Sequence, residues 1–498
     1  MTTPAHPRRA RLVRAVGAAA ALAVLVGCSG GSGDEAPTSG PSASSPSASS
    51  PSASSSAPSV APASTDVPFT DCGEACEGEI KGAKYRILLP TAWNGTLLIY
   101  SHGYRNPAPA PPDYGNVSTK ADPSPGYGEG GTPLARNLLA MGYALAGSGW
   151  RSNGWAVSDG VKANTDLYEF FREEVGEPER VYAWGDSLGG LVTMELAEAH
   201  PEWVSGAAPL CGVVGGILPN MDLALDVAYG VRELIDPELR LTDYASAREA
   251  GFEWVRAAQA VAAAAADKED RADVVALALL ADAELRTKSQ DGSTIDSQVQ
   301  AAAEAALIGL RFGTVGRWDV EERFGGNISD NTDTDYAARF SAEDRALLDE
   351  MGGDGTARRI IAALADGTRL KADADAVKAA RRQGGEPSGT IEVPTITLHT
   401  AVDPLVAVQN ETLLREVSGD TDRLVQLFTV PPETYAARPG APYGAGHCEF
   451  TPDSRIGMIE LLDDWVRGGQ RPTPASVAEA FGRDSGFDPG FTPGPWPE

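Results

Sequence analysis

Basic residues are few. Lys and Arg number 41 against 69 Asp and Glu, a formal net charge of −28 on 498 residues. A surface of that sign repels a phosphate backbone, which argues against nucleic acid as a partner. The acidity reads as a means to solubility rather than the mark of a cationic substrate. Long apolar runs are missing as well: beyond residue 28 no segment has the apolar length needed to span a bilayer. Cysteines number five, and the one short spacing, Cys72 to Cys76, has no matching second pair, so it makes a poor zinc site. Histidines also number five, at positions 6, 102, 200, 399 and 447, so any imidazole chemistry must come from a short set. The length allows two or three units.

What is present begins with an export signature. Arg8, Arg9, Arg11 and Arg14 precede an apolar stretch, 15–26, that is too short for a good transmembrane helix. Leu25-Val26-Gly27-Cys28 resembles a bacterial lipobox, which implies cleavage before Cys28 and lipid attachment to it. Residues 1–28 are therefore expected to be a lipoprotein signal peptide. Residues 29–66 are almost entirely Ser, Pro, Ala and Gly, with three near-repeats of Pro-Ser-Ala-Ser-Ser. They carry no apolar surface for a core and are expected to act as a disordered tether. The expected location is extracytoplasmic, on the membrane through Cys28 or released from it. In that compartment Cys72, Cys76, Cys211 and Cys448 form an even set that allows three pairings. Cys72–Cys76 with Cys211–Cys448 is favoured, because Cys211 and Cys448 both fall beside segments assigned to the functional site.

The chain is organised around Val181-Tyr182-Ala183-Trp184-Gly185-Asp186-Ser187-Leu188-Gly189-Gly190. An apolar strand-like run ends at Trp184 and a helical pattern starts at Leu188. Between them lies Gly-x-Ser-x-Gly. A serine on such a strand-to-helix turn has its hydroxyl thrust out of the fold, and glycine on either side removes a steric clash. The helix N-terminus also sets backbone N–H groups beside the serine, where charge develops during attack on a carbonyl. Upstream, 85–90 and the continuous apolar run 96–100 read as strands, the second ending in Ser101-His102-Gly103-Tyr104. Residues 132–141 and 166–175 read as helices, 143–147 and 206–211 as strands. Trp150 and Trp155 fall at a strand's C-terminal edge, where they either line a pocket or pack the loop. Alternation of this kind means a mainly parallel sheet with crossover helices.

From 219 to 387 the pattern becomes Ala-rich, charged and helical, with no buried-strand run. It is expected to be a helical cap inserted over the site, the alternative being a separate helical domain. The core is then split into 67–218 and 388–498. Within the cap, Asp330-Asn331-Thr332-Asp333-Thr334-Asp335 has the spacing of a calcium loop but lacks its glycine, and Ser341 stands where the bidentate Glu belongs. A hydrogen-bonded turn is the expectation. Strands resume at 393–400 and 423–430, a helix follows at 454–467, and the Pro- and Gly-rich tail is expected to wrap the surface.

A serine hydroxyl needs a base within hydrogen-bond reach, and the base needs a partner that fixes its tautomer. His6 lies in the signal, His102 precedes the elbow, and His200 ends the elbow helix away from the serine. His399 lies within a strand. His447, in a Gly-rich loop after the last strand, has the position a base requires, and Asp403, past the preceding strand and stiffened by Pro404, has that of the acid.

Ser101-His102-Gly103, Gly185-Asp186-Ser187-Leu188-Gly189, Asp403 and His447 together resemble the α/β-hydrolase superfamily over about 79–215 and 390–468. The resemblance implies an α/β fold with Ser187 as nucleophile, His447 as base and Asp403 as its orienter. It implies oxyanion N–H groups from Leu188 and from Gly103 or Tyr104, and no cofactor or metal. It implies an ester substrate, or a peptide as in exported aminopeptidases; a binding protein that has lost catalysis is the third option. Cysteine beside the histidine resembles tannase and feruloyl-esterase-like members, but their cysteine just before the serine motif is absent here. Gly185-Asp186-Ser187-Leu188 spells the signature of GDSL hydrolases, yet it lies mid-chain, and residue 444, where their Asp-x-x-His needs Asp, is Gly.

Overall fold

The computed structural model describes residues 75–112, 114–115, 117–127, 131–419, 421–435 and 443–497. The expected signal peptide, Cys28, the tether and Cys72 lie outside the described residues.

The strands are β1 (Ala75–Ile80), β2 (Ala83–Leu88), β3 (Thr96–Ser101), β4 (Ala144–Ser148), β5 (Arg180–Asp186), β6 (Gly206–Leu210), β7 (Thr395–Thr400) and β8 (Leu424–Thr429). They form one sheet in the order β1-β2-β4-β3-β5-β6-β7-β8. β2 runs antiparallel to its neighbours β1 and β4, and every other pairing is parallel. Every residue of β3, β4, β6 and β7 is buried. Such strands need apolar or small residues on both faces, which is why they read as unbroken runs. Successive residues of β5 serve opposite faces: Tyr182 and Trp184 join one core cluster, while Val181 and Ala183 join clusters on the other side.

The crossovers carry α1 (Pro133–Ala140), α2 (Val157–Phe170) and α3 (Leu188–Ala199). α2 begins nine residues before the expected 166 and runs into a π-turn, Phe171–Val175. Its first turns lack the apolar stripe that marks a helix in sequence, because Gly160, Ala163 and Asn164 supply its buried side. Thr132 caps α1 by accepting from the Ala135 N–H, with Pro133 opening the helix.

After β6 come the inserted helices: α4 (Ile217–Leu234), α5 (Ala247–Ala266), α6 (Arg271–Leu280), α7 (Ile295–Arg311), α8 (Arg317–Phe324), α9 (Ala342–Gly352), α10 (Thr356–Asp366) and α11 (Ala374–Gln383). They bury an apolar core of their own, from Leu225 to Leu364. The insertion is a helical cap, fixed to the sheet's helices at one side by a mixed cluster. There Val320, Phe324, Ile328, Ala376 and Ala380 pack with Trp155, Val157, Leu191 and Val192. The 330–335 stretch is a turn: the Asp330 carboxylate accepts from the backbone N–H groups of Thr332 and Ala372.

α12 (Asn410–Ser418) and α13 (Pro452–Gly468) complete the core. The tail does more than wrap the surface. It forms α14 (Pro474–Phe481), whose Val477 and Phe481 are buried against α13, and Phe487 bridges to Thr429 at the sheet edge. Among the described residues no helix is long and apolar enough to cross a membrane.

Candidate active site

Ser187 lies between the end of β5 and the start of α3, with φ 61° and ψ −125°. A non-glycine residue rarely holds that conformation, and it persists only where its surroundings impose it. Here they do. The Ser187 N–H donates to Leu210 O at 2.9 Å, and the Gly190 N–H donates to Ser187 O at 2.9 Å. A Cβ at Gly189 would stand 2.0 Å from Ser101 O, and one at Gly185 would stand 2.5 Å from Gly189 O. The two glycines let β3 and the elbow touch. Asp186 points away into an ion pair with Arg455 of α13, at 2.8 and 3.1 Å, and Arg455 also donates to Cys448 O.

Asp403 follows β7, and its side chain is fully buried. Its Oδ1 accepts from the N–H groups of Leu405 and Val406, at 2.9 and 3.0 Å. Its Oδ2 accepts from His447 Nδ1 at 2.7 Å. Burial opposes ionisation of Asp403, but His447, His399 and the turn N–H groups outweigh it and hold the carboxyl below the usual range. With Nδ1 committed to Asp403, the free nitrogen of His447 is Nε2. It is buried and takes no hydrogen bond in this conformation, Ser187 Oγ included.

The His447 loop is tied to the elbow by covalent chemistry. Cys448 forms a disulfide with Cys211, Cα–Cα 5.4 Å. Cys211 directly follows Leu210, the acceptor for the Ser187 N–H. A sulfur–metal site is thereby ruled out, although the Cys211, His447 and Cys448 ligand atoms all lie within 4.8 Å of one another. Cys76 is also disulfide-bonded, and its expected partner Cys72 lies outside the described residues.

Gly103 passes directly over the serine: a Cβ there would stand 3.3 Å from Ser187 Cβ. No hydrogen bond occupies the backbone N–H of Gly103, Tyr104 or Leu188 among the described residues. His102 turns away from the serine, its Nδ1 2.7 Å from Gly103 O and its ring stacked 3.9 Å from Trp150. Burial, then the Arg105 charge, lower its pKa to about 3, so it stays neutral. Tyr104 donates to Asp319 of α8 at 3.2 Å, and the Trp155 N–H donates to the same carboxylate at 2.6 Å. Trp150 and Trp155 are 2% and 4% exposed. Trp155 spends its indole N–H on Gly384 O, and both rings pack in the cluster under the cap.

Three features were not read from the sequence: Asp319, the Arg455–Asp186 pair, and a buried His399–Glu411 contact beside Asp403. Each joins residues far apart in the chain or lacks a motif. His200 pairs with Glu202 at 3.1 Å, at the far end of α3.

Other contacts join the cap to both rims of the site. On the histidine side Lys288 Nζ meets Glu449 Oε1 at 2.5 Å, and Tyr435 donates to Thr287 O. On the oxyanion side Arg311 donates to Asn106 Oδ1 at 3.2 Å and Arg323 to Asn153 O at 2.6 Å.

No protein-family model matches the chain, and no curated protein sequence does. Solved structures match loosely. A membrane phospholipase A, described as a bacterial virulence factor, is 14% identical, with 79% of this chain and 86% of that one covered and a TM-score of 0.34. Feruloyl esterase B from Aspergillus oryzae is 13% identical, with 80% of each chain covered and a TM-score of 0.37. The rice cell wall degrading esterase LipA from Xanthomonas oryzae is 12% identical, with 71% and 80% covered and a TM-score of 0.32. At such scores the fold is defined by its own features. An eight-stranded sheet with an antiparallel second strand, a strained serine elbow after β5 and a helical insertion after β6 make this an α/β-hydrolase fold with a cap.

Proposed function

We propose that the protein is an extracytoplasmic serine hydrolase that cleaves carboxylic esters, with Ser187 as nucleophile, His447 as base and Asp403 as its orienter. The observation that carries this reading is the 2.7 Å contact of His447 Nδ1 with Asp403 Oδ2, which leaves a buried, unpartnered Nε2 beside a strained serine elbow. In the first step Ser187 Oγ bonds to the ester carbonyl carbon as His447 Nε2 takes the hydroxyl proton. The carbonyl oxygen gains the negative charge and is received by the N–H groups of Leu188 and of Gly103 or Tyr104. The tetrahedral species collapses, the C–O bond to the alcohol breaks, and His447 returns the proton to the leaving alcohol. Water then repeats the sequence on the acyl-serine, releasing the acid. The balance needs no metal or cofactor. The substrate is a small-molecule ester or peptide-like acyl compound, and lipid at Cys28 would hold the enzyme to the membrane.

The test is a panel of p-nitrophenyl esters and aminoacyl anilides. Ester turnover is expected, with covalent labelling of Ser187 by a fluorophosphonate. Turnover of anilides alone would replace the esterase with a peptidase, and neither labelling nor turnover would point to a binding protein. Ser187→Ala should lower kcat by roughly 10^4 to 10^6. Incorporation of radioactive palmitate, lost in Cys28→Ala, tests the anchor.

A further inference from the structure

Beside Asp403, where His399 approaches the same Oδ2 that His447 contacts, sits a pair of ionisable side chains that the proposed chemistry leaves unused. His399 of β7 and Glu411 of α12 are both 0% exposed. His399 Nε2 lies 3.0 Å from Val406 O and 3.7 Å from Asp403 Oδ2. Its Nδ1 lies 3.4 Å from Glu411 Oε1. These neighbours are a carbonyl and two carboxylates, all acceptors. A neutral imidazole has one N–H and one lone pair, so one of its nitrogens would face an acceptor without a proton. An imidazolium donates from both. Glu411 is held as an acceptor by other donors: its Oε2 receives Thr397 Oγ1 at 2.6 Å and Gln426 Nε2 at 2.7 Å. That leaves Oε1 for His399.

The charged groups facing His399 are Glu411 from α12 and Asp403 from the turn after its own strand, with His447 beyond Asp403. β8 supplies Gln426, which is neutral, and Phe428, which lies beside His399 in register.

We propose that His399 is a positioning residue, an imidazolium clamped between Glu411 and Asp403 that fixes the Asp403 carboxylate and, through it, the pH profile of the reaction. The proposal rests on the triad reading above. Burial works to strip the proton from His399, but Glu411 and then Asp403 outweigh it, and the ring's pKa is raised. The His399–Glu411 pair sums to zero charge, yet its positive member is the one beside Asp403. That charge weakens the grip of Asp403 on a protonated His447. Loss of that charge should therefore move the acid limb of the reaction to higher pH.

Two measurements on the full chain test this. With only five histidines, ¹⁵N-labelled imidazoles can be followed by NMR in Ser187→Ala, and the His399 signals assigned by their loss in His399→Gln. Two protonated ring nitrogens on His399 at pH 7.5 are expected; a single one overturns the proposal, and the readout itself is made with the pair intact. The second is kcat/KM against pH for Glu411→Gln. Without its anion His399 becomes neutral, and the acid limb should move up by about one pH unit. An unchanged limb with lower thermal stability would make the pair a structural clamp only and overturn the proposal. The two readings fail differently: wild-type turnover by Ser187→Ala removes the triad and the role of His399 with it, whereas an inactive Ser187→Ala with an unmoved limb removes the role of His399 alone.

Discussion

Gly189 has no room for even a methyl group. The added carbon would stand 2.0 Å from Ser101 O and 2.7 Å from His102 O, both backbone atoms that cannot swing aside. Gly189→Ala should push β3 away from the elbow and displace the Gly103 N–H from Ser187. A misplacement of about 1 Å can cost about 10^2-fold in rate, so kcat should fall at least that far with fluorophosphonate labelling slowed in step. Unaltered labelling would show that the elbow tolerates the methyl group. His102 makes a different kind of prediction. Its folded pKa of about 3 lies below the ordinary 6.5, first because of burial and then because of Arg105. As pH falls below 6.5 the unfolded chain binds a proton that the folded chain refuses, so the stability His102 contributes above 6.5 is lost as pH falls towards 3. Glu195 and Asp222, both raised to about 7 by burial, act in the opposite sense, but they are present in wild type and variant alike. The stability gap between wild type and His102→Gln should therefore shrink by about 1.6 kcal/mol between pH 6.5 and 5, read from urea midpoints. A constant gap would mean that His102 ionises freely in the fold. Which of these residues could be read from the sequence follows from what each contacts. Ser187, Asp403 and His447 announce themselves by motif and chain order. Asp319 and Glu411 do not, because a buried carboxylate is recognisable only by the partners that folding brings to it, here from positions 104, 155, 397 and 426.

The elements were legible wherever a period was clean. β3, β5, β7 and α13 carry unbroken apolar runs or a helical stripe, and their expected ranges lie within a few residues of the observed ones. The expected start of α2 was late, and α14 was hidden in a Pro-rich tail where Thr473 and Pro474 in fact open a capped helix. The described residues around His447, 443–448, show how an irregular segment is held in place. It is held by the Cys211–Cys448 disulfide, by Arg455 bonding both Asp186 and Cys448 O, and by Thr400 Oγ1 donating to Gly446 O at 2.9 Å. The disulfide closes a separation of 237 residues. Replacing both cysteines by alanine should lower unfolding stability by about 2–5 kcal/mol. It should also lower kcat/KM by about 10–100-fold, because His447 is the residue next to Cys448. A variant that loses stability but keeps wild-type kcat would show that Arg455 and the Gly446 contact hold the histidine unaided.

Among the described residues the cap is attached to the sheet core unequally at its two sides. The cap has its own apolar core, 225–364, and does not depend on the sheet for it. At one side it is joined to α2 and α3 through apolar side chains, Val320, Phe324 and Ala380 among them. On the histidine side polar contacts hold it: Lys288 with Glu449, Arg286 with Pro432 O, Gln409 with Asp282. An exposed ion pair such as Lys288–Glu449 contributes about 0–1 kcal/mol, far less than a buried apolar cluster. The cap is thus fixed at one rim and latched at the other. Asp319 stands at the fixed rim, 4% exposed at its side chain, and its carboxylate receives the Trp155 N–H and the Tyr104 hydroxyl from the core. Tyr104 is itself one of the candidate oxyanion residues, so a cap side chain helps set the loop that passes over Ser187. The pocket is crowded, since a Cβ at Gly154 would lie 2.3 Å from Asp319 Oδ1. Asp319→Asn keeps the shape but turns one acceptor into a donor facing those same donors, while Arg323, 3.6 Å away, loses its counter-charge. An unsatisfied buried group of this kind costs about 1–3 kcal/mol. If the carboxylate merely glues the cap down, Tm should fall and kcat should hold. If it positions the oxyanion loop, kcat should drop about tenfold or more at saturating ester while KM changes little, since oxyanion donors act on the transition state. Tyr104→Phe, which keeps the backbone N–H and removes only the bond to Asp319, should then reproduce a smaller share of the same kcat loss. A loss confined to KM in both variants would assign Asp319 to substrate binding instead.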